Sequence, residues 1–197
     1  MAYKKNRNHD PGVGGLKYKI CISGAAETDI CSDDAVVKAG KLGGLVAKRN
    51  MILVTGATTG IPYWAAKGAK EAGGTVIGLS PAASKIAHTN SYRLPTDYHD
   101  LIIYTGFDYA GRNLLLTRSS DAIITICGRM GTLNEFTIGF EDQKPLGVLT
   151  GTGGISDMIE KIIKEAHKGG GKVIFDGDPE TLLDKVVALI EKENEKS

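Results

Sequence analysis

Glycine-rich turns follow four of the short apolar runs in this sequence of 197 residues. The chain has 26 glycines, about twice the usual share of roughly 7%. Backbone N–H groups that no side chain shields can hold a phosphate. One such turn could serve only to reverse the chain, whereas four at one edge of a sheet indicate an anionic or nucleotide ligand. The turns are Gly24–Ala26, Thr55–Gly60, Cys127–Thr132 and Thr150–Gly154.

A carboxylate follows the third of these turns. Thr132 and Glu135 have the spacing of a capping box, in which Thr132 is the N-cap of a helix and the Glu135 carboxylate returns to its backbone N–H. The same carboxylate, in the first turn of a helix beside a ligand, could stabilise the positive charge that develops on ribose when an N-glycosidic bond breaks. The spacing is compatible with both roles and does not choose between them.

Two other nucleotide-binding motifs are excluded. The segment Thr55–Gly60, with Tyr63 and Lys67, resembles the glycine turn and the Tyr-x-x-x-Lys of short-chain dehydrogenases. In those enzymes the Tyr and Lys lie far downstream on another helix, so this match is a coincidence of spacing. A Walker phosphate loop is absent from the sequence, because no Gly-Lys-Ser or Gly-Lys-Thr follows any glycine turn.

The sequence predicts neither a metal centre nor a disulfide framework. The four histidines are scattered, and none forms a ligand pair with another His or Cys at short spacing. Cys21, Cys31 and Cys127 are an odd number without a Cys-x-x-Cys pair, so we expect reduced thiols. Cys127 could be a reactive thiol beside the ligand, although the role of a small buried side chain fits it better.

The apolar pattern predicts a single α/β domain over residues 17–197. Short apolar runs without strict alternation are followed by stretches of helical spacing, as expected for a parallel sheet covered on both faces. We therefore predict one doubly wound, mostly parallel, Rossmann-like sheet of about seven strands with helices on both faces. Gly40, Gly43, Gly44 and Gly68 inside the first two helices indicate a close approach of helix to sheet. The predicted strands are Lys19–Ser23, Met51–Val54, Thr75–Gly78, Leu101–Tyr104, Ala122–Ile126, Leu146–Leu149 and Lys172–Phe175.

The first residues and the net charge indicate where the protein is located and which partners it lacks. Residues 1–16 are too polar to bury and have no period, so we expect a flexible tail. A formal net charge of +1 gives no field strong enough to attract nucleic acid or an anionic membrane. The sequence has neither the ~20 consecutive apolar residues that cross a bilayer nor the apolar centre of a signal peptide. We expect a cytoplasmic protein without nucleic-acid or membrane partners.

Residues 127–135 resemble the Pro-Gly-Gly-x-Gly-Thr-x-x-Glu motif of a known family. That family is the Lonely Guy (LOG) phosphoribohydrolases, long mislabelled lysine decarboxylases, within a wider Rossmann-like group that includes molybdenum cofactor carriers. Arg112 stands at the family's distance upstream of the motif, and residues 73–81 match another family stretch. The matching motif positions are Gly128, Gly131, Thr132 and Glu135.

Two positions depart from the family motif. Cys127 stands where the family has proline, and Arg129 stands where it has the second of two paired glycines. Arg129 could add a charge-assisted contact to a phosphate, or it could fill part of the pocket. The resemblance therefore leaves the identity of the ligand open.

The resemblance implies a hydrolase that cleaves an AMP-like nucleoside 5′-monophosphate into free base and ribose 5-phosphate. No metal and no other cofactor is implied. Glu135 would stabilise the oxocarbenium-like transition state, and Arg112 would position the substrate. The implied ligand- and phosphate-binding residues are Gly24, Gly56, Thr58, Thr59, Gly60, Asn113, Gly128, Arg129, Gly131 and Thr132.

The resemblance also admits a protein that binds without turnover. Such a carrier would hold a nucleotide or a molybdopterin-type cofactor in the same cleft, and the altered residues Cys127 and Arg129 motivate this alternative. Related proteins assemble, so we expect a homodimer or a higher homo-oligomer. Phe136, Ile138 and Phe140 could supply apolar surface for assembly or could face their own sheet.

Overall fold

Seven strands form one sheet in the computed structural model, which describes residues 16–195. The strands are β1 (Lys19–Gly24), β2 (Ile52–Thr55), β3 (Thr75–Ser80), β4 (Leu101–Tyr104), β5 (Ala122–Ile126), β6 (Leu146–Leu149) and β7 (Val173–Asp176). All neighbouring strands are parallel, in the order β4-β3-β2-β1-β5-β6-β7. The predicted Rossmann-like α/β sheet is confirmed. Residues 1–15 of the predicted tail lie outside the described residues.

Six α-helices connect or follow the strands in this part of the chain. They are α1 (Ala35–Lys48), α2 (Ile61–Glu71), α3 (Asp108–Ser119), α4 (Met130–Glu141), α5 (Ile159–Glu165) and α6 (Pro179–Asn194). A π-helical turn spans Ala87–Ser91, and a 3-10 turn spans Gly154–Asp157. Within residues 16–195, every helix is too short or too polar to span a membrane.

Two apolar cores cover the two faces of the sheet, because successive side chains along a strand point to opposite faces. Ile20 and Ile22 of β1 enter the first core, which α1, α2 and α6 complete. Cys21, between them, enters the second core with Leu116 of α3 and Phe136 of α4. Strands buried on both faces account for the continuous apolar runs in the sequence.

The apolar side chains of α4 that were considered for assembly lie mostly inside the molecule. Phe136 is buried in the second core, and Phe140 packs against that core. Ile138 is half-buried. Phe136 and Phe140 therefore stabilise their own sheet, which is one of the two alternatives that the sequence left open.

The interior glycines of the first two helices bring α1 and α2 together. A Cβ added at Gly43 would lie 2.0 Å from the Ala65 carbonyl oxygen, and one added at Gly68 would lie 2.0 Å from the Gly40 oxygen. The prediction of a close approach was right, but its partner was wrong. The backbones of the two helices touch each other, because both helices lie on the same face of the sheet.

Cys31 and Cys127 form a disulfide, contrary to the prediction of reduced thiols. Cys31 lies in the loop after β1, and Cys127 directly follows β5. These two strands are neighbours in the sheet, so their carboxyl ends bring the two Cα atoms to 5.5 Å across 96 residues of sequence. Local spacing of cysteines carries no signal for a pair that is joined by strand order. Cys21 is a free, buried thiol.

Candidate functional site

A cleft of about 410 Å³ opens at the carboxyl ends of β1, β2 and β5. Its position is the one where doubly wound sheets bind ligands, since the chain runs from β1 toward one edge of the sheet and from β5 toward the other. Its volume is in the usual range for small-molecule sites. Four segments line it: residues 22–27 at the end of β1 and directly after it, residues 56–62 between β2 and the start of α2, residues 109–116 of α3, and residues 129–135 at the start of α4.

Glu135 lies at the floor of this cleft and is 7% exposed. The hydroxyl of Ser23, near the end of β1, donates a hydrogen bond to its Oε2 atom. Desolvation raises the pKa of Glu135 above its usual range, while the Arg112 charge and the Ser23 hydrogen bond act in the opposite direction. A buried carboxyl, a hydroxyl and a guanidinium therefore share one wall of the cleft.

The capping box at Thr132 and Glu135, one of the two roles that their spacing allowed, is not formed. Helix α4 begins at Met130, with Arg129 as its N-cap, and no side-chain hydrogen bond caps this helix among the described residues. Arg129 is extended, with φ −123° and ψ −158°, so the chain enters the helix before it reaches Thr132. The Glu135 carboxyl is consequently free to bond to β1 instead of returning to its own helix.

The guanidinium of Arg112 is 4% exposed and is anchored to two backbone carbonyls. Its Nη1 atom donates to the oxygen of Gly56 and, at 3.2 Å, to the oxygen of Leu79. A Cβ at position 56 would lie 1.9 Å from Nη1, so any residue other than glycine there would displace the guanidinium from its present position. The buried Nε atom of Arg112 has no hydrogen-bond partner among the described residues.

The turn that holds Gly56 is itself fixed by hydrogen bonds. The Thr55 hydroxyl accepts a bond from the Ala57 N–H at 3.1 Å and lies 2.9 Å from Nε2 of His99. Nδ1 of His99 lies 2.8 Å from the Asp97 carbonyl oxygen, which places the ring proton on Nδ1 and makes Nε2 the acceptor. Burial lowers the pKa of His99, and its neutral ring suits this bond.

The amino end of α4 presents its first N–H groups at the edge of the cleft. The N–H groups of a first helical turn have no partner within the helix, and the helix dipole favours a negative charge beside them. Gly131 and Thr132 line the cleft. A Cβ added at Gly131 would find no heavy atom within 4 Å, so this turn faces open space. The arrangement can accept a phosphate.

The predicted ligand residues divide into two groups. Thr59, Gly60 and Gly128 do not line the cleft: Thr59 donates to the Ala26 oxygen at 3.0 Å, Gly60 is the N-cap of α2, and the Gly128 oxygen accepts from Ile155. The other predicted residues line the cleft together with Arg112 and Glu135; these are Gly24, Gly56, Thr58, Asn113, Arg129, Gly131 and Thr132.

The two departures from the family motif bind the same loop. Arg129 lines the cleft and forms ion pairs with Asp29 and, at 3.5 Å, with Glu27. Cys127 is bonded to Cys31 in the same segment. Arg129 keeps 45% of its side chain exposed, so it stands at the rim of the cleft and does not close it.

Three residues line the cleft without having been predicted: Ser23, Glu27 and Tyr109. Two more, Asp29 and Cys31, bond to Arg129 and Cys127 beside it. Each contacts the site through the arrangement of strands and helices, and none belongs to a sequence motif at a recognisable spacing. The one available signal was that Ser23 immediately precedes the first glycine turn. Within residues 16–195, no cluster of three His, Cys, Asp or Glu side chains could hold a metal ion.

The sequence profile of the SLOG cluster4 family matches residues 17–183. The chain belongs to the SLOG cluster4 family. The match covers all four segments that line the cleft, and the resemblance to the LOG-related Rossmann-like group is confirmed. This SLOG chain is also similar to an uncharacterised protein of Archaeoglobus fulgidus, with 30% identity over 131 residues, which are 66% of this chain and 79% of that protein.

Two solved structures resemble this SLOG chain along nearly its whole length. The Moco carrier protein of Chlamydomonas reinhardtii is 28% identical, with a TM-score of 0.72 over 90% of this chain and 99% of that one. The molybdenum cofactor binding protein of the phototrophic bacterium Rippkaea orientalis is 27% identical, with a TM-score of 0.70 over 91% of this chain and 98% of that one.

Proposed function

We propose that this protein binds a phosphate-bearing heteroaromatic molecule in the cleft and carries it without turnover. The ligand class includes nucleotides and molybdopterin-type cofactors. The observation that carries the proposal is one cleft that joins the open first turn of α4 at Gly131 to the buried side chains of Arg112 and Glu135 at its floor. The first group suits a phosphate, and the second suits a polar atom placed deeper in the cleft.

Two observations favour carriage over catalysis. The solved structures at 27% and 28% identity are named as binding or carrier proteins for the molybdenum cofactor. In addition, both side chains proposed for catalysis are held by the protein itself, Glu135 by Ser23 and Arg112 by the Gly56 and Leu79 carbonyls. Held in this way, they form a rigid floor that orients a ligand.

The donor set fits a molybdopterin-type cofactor that is held through its organic part. Cys31 and Cys127 are joined to each other, and burial raises the pKa of the Cys21 thiol well above its usual range. The described cysteines therefore offer no thiolate for a metal. The α4 amino end would hold the phosphate, and the Asn113 amide could reach a pterin edge. The bound cofactor would supply metal-centred redox chemistry to an enzyme that receives it.

A second candidate function is hydrolysis of a nucleoside 5′-monophosphate, favoured by the placement of Glu135, Ser23 and Arg112 on one cleft wall. Water would add its oxygen to C1′ of the ribose as the bond from C1′ to the base breaks, and the base would take up the proton. Ionised Glu135 would stabilise the developing positive charge. The raised pKa of Glu135 opposes that ionisation.

Binding and turnover can be measured on the same samples. We expect AMP or the pterin neopterin to raise the Tm and to give a calorimetric binding isotherm, with no release of base above that of Glu135→Ala by chromatography. Gly131→Leu should fill the open space at α4 and abolish binding, whereas Thr137→Leu, on an exposed part of α4, should not. Base release that Glu135→Ala abolishes would establish the second candidate, and no binding of any nucleotide or pterin would overturn the proposal.

The proposal includes self-association through an uncovered apolar surface, hereafter the β4 face. Register places Leu101 opposite Ile77 and Ile103 opposite Leu79, so both side chains point to the face of the second core. They are 53% and 47% exposed. Helix α3, on the same face, exposes Leu114 and Leu115. Uncharged aliphatic side chains of this kind suit the same surface of a second copy.

A cytoplasmic location stays a prediction. The disulfide between Cys31 and Cys127 is more typical of an oxidising compartment, or of the disulfide-rich intracellular proteins of hyperthermophiles. A thiol-trapping experiment on freshly lysed cells that express the native protein would determine which state the two cysteines have there.

A further inference from the structure

Tyr109 lies in the first turn of α3 and lines the cleft. Its side chain is 48% exposed, whereas Arg112, one helical turn later, is 4% exposed, and Glu135 is 7% exposed. The three side chains therefore occupy different depths. Tyr109 stands at the mouth, and the two ionisable groups lie at the floor.

The Tyr109 ring is held in place from two sides. The guanidinium carbon of Arg112 lies over the ring, 5.8 Å from its centroid. The ring of Tyr92 meets it edge-on, with 5.8 Å between centroids and 69° between planes. The Tyr92 hydroxyl in turn donates to the Asp108 carboxylate, next to Tyr109 in sequence. An aromatic surface at the cleft mouth is thus fixed before any ligand arrives.

We infer that Tyr109 is the surface on which the ring of the ligand stacks, while the phosphate of the same ligand contacts the first turn of α4. The inference rests on the proposed function and adds the part of the ligand that the glycine turn cannot recognise. A polar phosphate site and an aromatic ring site on one small cleft match a molecule that carries both groups. Sugar phosphates, which lack the ring, fill only one of the two.

Stacking on a tyrosine selects a class of ring and not a particular base. Every purine and pterin has a π face, and contacts between such faces depend little on the ring substituents. Asn113, buried on the same helix with its Nδ2 atom donating to Asn134 at 3.0 Å, is one of the polar side chains beside this ring site. The site therefore accepts nucleotides and pterins alike and discriminates strongly against compounds without a flat ring.

Phe107 supplies a matched control on the same helix end. It is 65% exposed, two residues before Tyr109, and it packs against Gly111 without lining the cleft. Its replacement removes an exposed aromatic ring from this end of α3 but leaves the cleft wall in place.

Calorimetry with three probes tests the inference: AMP, which has ring and phosphate; ribose 5-phosphate, which lacks the ring; and neopterin, which lacks the phosphate. Tyr109→Ala should weaken the binding of AMP and of neopterin by about fivefold or more, which is the usual effect of losing one aromatic stack. It should leave ribose 5-phosphate unchanged. Tyr109→Phe should retain full affinity for all three, and Phe107→Ala should behave like the unaltered protein.

The outcomes separate this inference from the function on which it rests. One outcome is that the unaltered protein binds AMP while Tyr109→Ala weakens the binding of AMP and of ribose 5-phosphate equally, or leaves both unchanged. In either case the stacking role is wrong, while the cleft remains a ligand site. If the unaltered protein binds none of the probes, both proposals fail. If Tyr109→Ala changes only the oligomeric state, Tyr109 belongs to a contact between chains and the inference is overturned.

Discussion

Burial of a carboxyl group such as Glu135 opposes folding whenever the group is ionised. Its pKa in the folded protein is raised from 4.5 by desolvation. The folded state therefore binds more protons than the unfolded state between the two pKa values, and stability falls as the pH rises through that interval. At pH values above this interval, the ionised carboxylate lowers the free energy of unfolding by the full amount.

Glu135→Gln should raise the Tm by an amount that grows as the pH rises above 4.5, because it removes a group whose ionised form is costly to bury and keeps the shape of the side chain. The difference from the unaltered protein should shrink as the pH falls toward 4.5 and the native carboxyl becomes neutral. Thermal melts across about pH 4 to 8 would measure it. Glu141→Gln, on an exposed part of the same helix, is the control, and a lower Tm for Glu135→Gln at neutral pH would contradict the argument.

Single residues show what a sequence motif can and cannot reveal about this site. Arg112 and Glu135 were predicted together from the family motif, and the cleft contains both. Ser23 was missed because its partner Glu135 lies 112 residues away. Tyr109 stands three residues before Arg112, but the resemblance gave it no role. A motif preserves the residues that a family shares, whereas contacts between distant segments depend on strand order.

At the level of elements, the glycines of α1 differ from one another in what surrounds them. A Cβ at Gly43 would lie 2.0 Å from the Ala65 carbonyl oxygen, whereas a Cβ at Gly44 would lie 3.4 Å from its nearest neighbour, the Gly68 oxygen. Both positions are inside the same helix. They form a matched pair that separates packing from helix propensity.

Gly43→Ala should destabilise the protein by about 1–3 kcal/mol, because α1 and α2 must move apart. Gly44→Ala should be close to neutral or stabilising, since alanine favours a helix by about 1 kcal/mol over glycine. Urea unfolding of both variants would measure the difference. Equal effects at the two positions would mean that the contact between the helices tolerates an added methyl group.

The disulfide stabilises the fold by restricting the unfolded chain. Its 96-residue separation corresponds to roughly 4.7 kcal/mol in the chain-entropy account, as an upper estimate. A phosphine reductant should therefore lower the urea midpoint of the unaltered protein. The double variant Cys31→Ser, Cys127→Ser should unfold at the lower midpoint and ignore the reductant. A midpoint unaffected by reduction, with reduction verified by thiol titration, would contradict this estimate.

The helices and strands were the most predictable elements, because burial on both faces leaves a continuous apolar run that local sequence reveals. The start of α4 was predicted at the wrong residue, because the pattern at Thr132 and Glu135 favoured a later N-cap. The Glu135 carboxyl had two possible hydrogen-bond donors, the backbone N–H of Thr132 in its own helix and the hydroxyl of Ser23 on β1. In the structure it accepts the hydrogen bond from Ser23. Tertiary contacts of this kind are absent from any local spacing.

For the molecule as a whole, the β4 face (Leu101, Ile103, Leu114 and Leu115) predicts a dimer. Ile103→Lys should convert a particle of two chains into one of a single chain, because a lysine ammonium cannot be buried there without a partner. Light scattering after size exclusion would measure the mass. Val37→Lys, at another exposed aliphatic position on α1, is the control, and a dimer that persists in Ile103→Lys would place the contact elsewhere.

The bond between Cys31 and Cys127 joins the loops that follow β1 and β5, and both loops also contribute residues to the cleft. The ion pairs of Arg129 with Asp29 and Glu27 connect the same two loops within a few residues of the disulfide. A reductant can break the disulfide, and salt can weaken the ion pairs. Dissociation constants measured in dithiothreitol and in air-equilibrated buffer therefore describe two different forms of the protein. In the first the two loops beside the cleft are no longer joined covalently, and in the second they are.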